Sequence, residues 1–151
     1  MKQFTSETQK IGEIGEKLAE KFLVKQGFVI MDRNYGKRVG EIDIIGKLSR
    51  ETKIRGDVVD PGIHFMEVKT AQTKIADVPH ETGKQYVSRE TYNPAQNVDY
   101  KKIERMHRTI ATYLAENNVS QETLWQIDVI SVFLDLETKK AKIEILWNTI
   151  D

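Results

Sequence analysis

The apolar residues of the chain recur at two spacings, one typical of helices and one typical of strands. Helical spacing over Thr8–Gln26 and Tyr100–Asn117 predicts two amphipathic helices, and Gly27 is a typical residue to end the first. Alternating or continuous apolar runs predict five strands, at Phe28–Met31, Val39–Ile45, His64–Thr70, Trp125–Leu134 and Ala141–Trp147. The predicted order is α-β-β-β-α-β-β, an α/β domain with a mixed sheet flanked by helices.

The connections between these elements differ in length and character. We expect the first three strands to form a meander with a turn at Asn34-Tyr35-Gly36, and the last two to form a closing hairpin. Gly46–Gly62 is interpreted as a long polar hairpin connection. Ala71–Val98 has no periodic signal, and so long an irregular stretch in a compact domain is usually functional or disordered. We interpret it as a mobile flap, and Asp99 after it as an acidic start that suits the second helix.

Composition narrows the class of protein. The 151 residues suit one domain spanning residues 1–151. No apolar run reaches the roughly 18–20 residues that cross a bilayer, and no secretory signal is readable, so we expect a cytoplasmic protein without a membrane span. The formal net charge is zero. This argues against a protein that coats nucleic acid through bulk charge, and any contact with nucleic acid must be local.

The chain contains no cysteine, which excludes disulfides and thiolate metal sites. Carboxylates and three histidines are then the available metal ligands, and oxygen ligands suit Mg²⁺ or Mn²⁺. The histidines show no paired ligand spacing. His64 and His107 are interpreted as packing or surface residues, and His80 stays undecided.

Three residues on predicted strands form a candidate catalytic constellation. The period of two along a strand places Glu67 and Lys69 on one face. Asp43 interrupts an apolar strand, where an acid is costly unless it is paired or binds a cation. The intervening chain is long enough for one strand to turn and return beside the other. Asp43 and Glu67 are therefore predicted to bind a divalent metal, with Lys69 beside them.

Each part of this constellation also has a plainer explanation. A Glu-x-Lys pair arises on the wet face of many strands, and the combination with Asp43 is what makes it unusual. Glu16 borders the apolar arc of the first helix, so it either points toward the sheet as a catalytic carboxylate or extends into water. Asp128 lies inside an apolar strand, and a functional role and a structural hydrogen-bonding role both stay open.

The second predicted helix carries basic residues that are candidates for nucleic-acid binding. Lys102 borders its apolar face, on the side of Met106 and Tyr113. Lys101, Arg105 and Arg108 lie on the opposite side, where plain solvation competes with contacts to a phosphate backbone.

These residues fall within motifs that resemble the YraN-like family of small bacterial proteins, predicted endonucleases distantly related to archaeal Holliday-junction resolvases. The resemblance covers most of the chain. It rests on Gly12-x-x-Gly15-Glu16-x-x-Ala19, Arg33-Asn34-Tyr35, Gly40-Glu41-Ile42-Asp43, Phe65-Met66-Glu67-Val68-Lys69-Thr70, Lys102 before Ala111-x-Tyr113-Leu114, and Ile127-Asp128-Val129. It implies a restriction-endonuclease-like fold with a PD-(D/E)xK nuclease core. Asp43, Glu67 and Lys69 match its triad, Glu16 matches its helix acid, and the resolvases suggest a homodimer.

The leading hypothesis is a Mg²⁺- or Mn²⁺-dependent endonuclease that acts on DNA, with branched or structured DNA as the expected substrate. In an alternative hypothesis, the chain is a catalytically inactive module of the nuclease fold that binds nucleic acid or a partner protein.

Overall fold

The computed structural model describes residues 6–36, 40–74 and 100–149. In these ranges the chain forms two helices, α1 at Glu7–Lys25 and α2 at Tyr100–Glu116. It also forms seven strands: β1 Val29–Tyr35, β2 Ile42–Leu48, β3 Thr52–Ile54, β4 Asp57–Val59, β5 Gly62–Gln72, β6 Trp125–Asp135 and β7 Lys140–Leu146. Both predicted helices are confirmed to within about two residues, which is the usual uncertainty of a helix end.

Local chemistry sets both ends of α1. The Ser6 side chain accepts a hydrogen bond from the backbone N–H of Gln9 at 3.1 Å, so it caps the first turn. At the other end Gly27 adopts a φ of +109°, a left-handed conformation that glycine reaches without steric cost. The predicted glycine stop of the first helix is confirmed.

Five strands form one mixed sheet in the order β1-β2-β5-β6-β7. The pairs β1–β2, β2–β5 and β6–β7 are antiparallel, whereas β5 and β6 run parallel. The meander and the closing hairpin are therefore confirmed. Parallel neighbours need a crossover connection, and α2 is part of the one that joins β5 to β6.

Each helix covers one face of the sheet with its own apolar cluster. Leu23 of α1 packs in a cluster that includes Met66 of β5, and Met106 of α2 packs in a second cluster that includes Phe65. Met66 and Phe65 are neighbours on one strand, so they point to opposite faces. The helices thus lie on opposite faces of the sheet, which agrees with the predicted mixed sheet flanked by helices.

The structure corrects several predicted connections. The segment Gly46–Gly62 is not a plain connection, because it holds the end of β2 and a second, two-stranded sheet made of β3 and β4. The predicted turn at Asn34 and Tyr35 is wrong in its placement, since β1 continues through both residues. Two strands thus join the predicted element order between β2 and β5.

The predicted flap at Ala71–Val98 is corrected at its start. Ala71 and Gln72 extend β5, and residues 75–99, which include most of the flap, His80 and Asp99, lie outside the described residues. Among the helices that the structure describes, none combines the length and apolar character of a membrane span.

Candidate active site

Asp43 and Glu67 meet where the ladder between β2 and β5 ends. The last paired residues of that ladder are Ile44 and Met66, and one step further along the same register come Asp43 and Glu67. Here the Asp43 Oδ2 atom accepts a hydrogen bond from the backbone N–H of Val68 at 2.8 Å. A carboxylate thus takes the place that a backbone carbonyl would hold if the ladder continued.

The surroundings of Asp43 favour its protonated form. Burial is the main cause that raises the pKa of Asp43, to about 7, and the negative charges of Glu67 and Glu16 add to it. The hydrogen bond from Val68 and the charge of Lys102 act in the opposite direction. Acidic groups crowded in this way hold negative charge readily only when a cation compensates them.

Glu67 is the most deeply buried acid of the candidate site, with 5% of its surface exposed. One of its oxygens, Oε2, accepts a hydrogen bond from the Nζ atom of Lys102 on α2. Its other oxygen, Oε1, is buried and has no hydrogen-bond partner within the described part of the chain. A buried oxygen of this kind normally has a partner, so Oε1 is a candidate to accept from a donor or to bind a cation.

Glu16 approaches the two strand carboxylates from α1. Burial raises the pKa of Glu16, and the charges of Glu41, Glu13 and Glu67 raise it further. The close approach of the helix explains this position, since a Cβ atom added at Gly15 would lie 1.9 Å from Thr70 Oγ1. The expectation that Glu16 points toward the sheet is consistent with these interactions.

The predicted basic residues occupy two places. Lys69 lies two residues beyond Glu67 on β5, half-buried and in register with Ser131 of β6. The strand period puts it on the face of Glu67. On α2, Lys102 reaches the site, whereas the other three basic candidates are exposed. They are Lys101, Arg105 and Arg108.

The donor set suits a hard divalent cation. Asp43 and Glu67 supply carboxylate oxygens, and the Oε1 atom of Glu67 needs a partner. In the described ranges no group of three or more His, Asp or Glu side chains is arranged to hold a metal ion. Mg²⁺ usually keeps several waters and needs only one or two carboxylates together with substrate phosphate oxygens. The residues present fit that mode of binding.

Two interactions at the site were not predicted from the sequence. The contact between Lys102 and Glu67 joins residues far apart along the chain, and only the helical wheel of α2 hinted at the direction of Lys102. The influence of Glu41 on Glu16 was also missed. The sequence does contain a hint of it, because residues 41 and 43 are two apart on an extended segment and so point to the same side.

Asp128 belongs to a separate buried network. Its Oδ2 atom lies 2.6 Å from His64 Nδ1, and neither side chain has any exposed surface. The second ring nitrogen of His64 faces the carbonyl oxygen of Asp60 at 2.9 Å. The Oδ1 atom of Asp128 accepts from Gln126 at 2.7 Å and from the Asn148 backbone at 2.8 Å. These contacts support the structural role for Asp128.

The fold and site define a class: an α/β protein whose mixed sheet, covered by one helix on each face, brings two acids and a lysine together. Comparison with known proteins adds the family. The model of the uncharacterised protein family UPF0102 matches residues 15–132. The chain belongs to the UPF0102 family, which confirms this part of the resemblance noted in the sequence.

Relatives in this family match most of the chain. A UPF0102 protein of Clostridium tetani is 32% identical over 130 residues, covering 86% of this chain and 84% of its own. One from Campylobacter jejuni is 34% identical over 125 residues, covering 83% and 85%. One from Alkaliphilus oremlandii is 31% identical over 140 residues, covering 93% and 97%. These names give the family and no activity.

Proposed function

We propose that the protein is a Mg²⁺- or Mn²⁺-dependent endonuclease of the restriction-endonuclease-like fold that hydrolyses phosphodiester bonds in DNA, with branched or structured DNA as the preferred substrate. One observation carries the proposal. Asp43 and Glu67 lie side by side at the end of a ladder. Burial raises the pKa of Asp43 there, and an oxygen of Glu67 is buried with no hydrogen-bond partner among the described residues. A divalent cation would relieve both conditions.

In this proposal each residue has a distinct task. Asp43 and Glu67 would hold the ion, which when bound neutralises phosphate charge and lowers the pKa of a water. The Val68 N–H fixes the orientation of the Asp43 carboxylate. Lys69 supplies positive charge on the face of Glu67, where it orients the attacking water or stabilises the charged transition state. Glu16 would assist the metal shell from α1.

The contact between Lys102 and Glu67 favours a second candidate function. The ammonium group already compensates part of the Glu67 charge without a metal. A module of the nuclease fold that binds nucleic acid or a partner protein, without catalysis, would be stable in this form. Calorimetric titration with Mn²⁺ separates the two candidates. The nuclease predicts a heat of Mn²⁺ binding in the wild type that disappears in Glu67→Gln, whereas the binding module predicts no such heat. The homodimer and the cytoplasmic location stay predictions.

The test is cleavage of a four-way DNA junction and of single-stranded DNA in Mn²⁺. Asp43→Asn and Glu67→Gln are each expected to lower the rate by roughly 100-fold or more, since even partners of metal ligands are worth about 10- to 100-fold. Asp57→Asn, which changes an exposed acid on β4, is the matched control and should cleave at the wild-type rate. Equal rates for wild type and Asp43→Asn would overturn the proposal.

A further inference from the structure

A groove with a volume of about 730 Å³ leads along α1 to the candidate site. The outer side of α1 lines one part of it, and Arg33 and Asn34 of β1 line another. Asp43 and Ile44 of β2 also belong to the lining, together with Glu16. The groove therefore reaches Asp43, one of the two acids that would hold the metal ion.

Three lysines follow one another along this groove. Lys17, Lys21 and Lys25 are exposed, line the groove and are spaced four residues apart on α1. Residues four apart lie on one side of a helix, so the row extends for about 12 Å. That length corresponds to three or four nucleotides at roughly 3.4 Å per step of one strand.

Charge along the groove is distributed unevenly. Arg33 forms hydrogen bonds with both carboxylate oxygens of Glu20, at 2.6 Å and 2.5 Å, and this ion pair lowers the pKa of Glu20. The other acids of the lining are Glu13, Glu16 and Asp43, and they lie at the end nearer the candidate site. The groove thus joins a basic row to an acidic end.

We propose that this groove binds the sugar-phosphate backbone of one DNA strand and delivers a phosphate to Asp43. The inference rests on the proposed nuclease function and adds to it the path of the substrate. Lysine ammonium groups act as point charges that recognise phosphate without reading bases, so this contact positions DNA independently of sequence. A protein with no net charge needs such a local row to attract a polyanion.

The experiment measures DNA binding without cleavage. Fluorescence anisotropy with a labelled duplex and a labelled single strand is recorded in EDTA over a series of salt concentrations. The test variant is Lys17→Gln/Lys21→Gln/Lys25→Gln. The matched control is Lys53→Gln/Lys139→Gln/Lys140→Gln, which makes the same change in charge at exposed lysines outside the groove. Glutamine keeps the helix propensity of lysine, and circular dichroism verifies that α1 is intact.

Affinity falls as salt rises, and each phosphate contact makes the slope of log affinity against log salt steeper by roughly 0.9 for duplex and 0.7 for single strands. Loss of three lysine contacts should therefore make the slope of the test variant shallower by about 2 to 3. The control should keep the wild-type slope. Equal slopes for the two variants, or no binding by the wild type, would overturn the inference. A wild type that cleaves DNA while the test variant binds normally leaves the nuclease proposal standing. A changed slope without cleavage by any form supports the groove and contradicts the nuclease.

Discussion

The ammonium group of Lys102 lies against one oxygen of Glu67 while the other oxygen of the same carboxylate is buried without a hydrogen bond in the described structure. Burial lowers the pKa of Lys102, but the hydrogen bond and the charge of Glu67 outweigh it, so the pKa is raised. The lysine therefore stays charged beside Glu67 and compensates part of its negative charge, as a bound metal ion would.

Lys102→Met is expected to destabilise the metal-free protein and to strengthen its response to metal. Loss of the ammonium leaves the buried Glu67 carboxylate without its ion-pair partner, which we expect to cost about 2 kcal/mol. This is below the roughly 3–5 kcal/mol of a fully buried pair, because Lys102 is partly exposed. Urea unfolding in EDTA and in Mn²⁺ measures both effects. Mn²⁺ should recover more stability in the variant than in the wild type. Lys101→Met on the exposed side of α2 is the control, and an equal response of both variants would contradict this role for Lys102.

Asp43→Asn is expected to change how stability depends on pH. The folded protein keeps a proton on Asp43 up to about pH 7, whereas the unfolded chain loses it near pH 4. The folded state binds more protons in this window, so the free energy of unfolding of the metal-free wild type falls as pH rises from about 4 to 7. Asparagine removes this dependence and still accepts the Val68 hydrogen bond. The variant should be more stable than the wild type above about pH 7, by about 2 kcal/mol after allowance for screening.

Urea unfolding in EDTA at several pH values tests this expectation. Below about pH 4 the Asp43→Asn variant and the wild type should have similar stability, because the aspartic acid is then neutral in both states. Asp57→Asn changes an exposed acid and should follow the wild-type profile. Parallel profiles for Asp43→Asn and the wild type would show that Asp43 is not perturbed.

Gly15→Ala and Gly12→Ala form a matched pair on α1. A Cβ atom at Gly15 would meet Thr70 Oγ1 at 1.9 Å and Thr70 Cβ at 2.9 Å, whereas at Gly12 it would meet nothing within 4 Å. Gly15→Ala should therefore lower stability by about 1 to 3 kcal/mol and weaken Mn²⁺ binding as α1 and Glu16 shift. Gly12→Ala should raise stability by up to about 1 kcal/mol. Partial recovery in Gly15→Ala/Thr70→Ala, measured by urea unfolding, would attribute the loss to this contact.

Asp128→Asn should affect stability and leave metal binding unchanged. The variant weakens a fully buried pair with His64, so we expect a loss of about 3 kcal/mol in the free energy of unfolding. His64 and Glu67 are three residues apart on β5 and point to opposite faces, which separates this network from the site. Thermal unfolding measures the loss, and Mn²⁺ calorimetry on the folded variant measures affinity. A large fall in affinity would mean that Asp128 belongs to the site.

The sequence predicted the elements that have many apolar residues and missed those that have few. Helix α1 and strand β6 carry long periodic or continuous apolar runs, and both were predicted to within two residues. Strands β3 and β4 have three residues each, too few to show alternation, and they lie among turn-forming residues. Pairing between them is visible only in three dimensions.

The site was predictable where it depends on neighbouring strands. Asp43 and Glu67 lie on β2 and β5, which pair directly, so the strand pattern predicted that they lie close together. Lys102 contacts Glu67 only because α2 packs on the sheet above β5. Asp128 of β6 contacts His64 of β5 across the parallel pair of strands. Contacts of this kind depend on how elements distant in sequence pack together, and the spacing of residues along the chain does not predict that packing.

The hydrogen bond from Val68 to Asp43 ties the length of the sheet to the existence of the site. If the β2–β5 ladder continued, a main-chain carbonyl of β2 would accept the hydrogen bond from the Val68 N–H and displace the Asp43 carboxylate. A sequence change that lengthens both strands here would thus displace the Asp43 carboxylate from this amide. The position of Asp43 therefore depends on where this ladder ends, and it could be changed without altering any acidic residue.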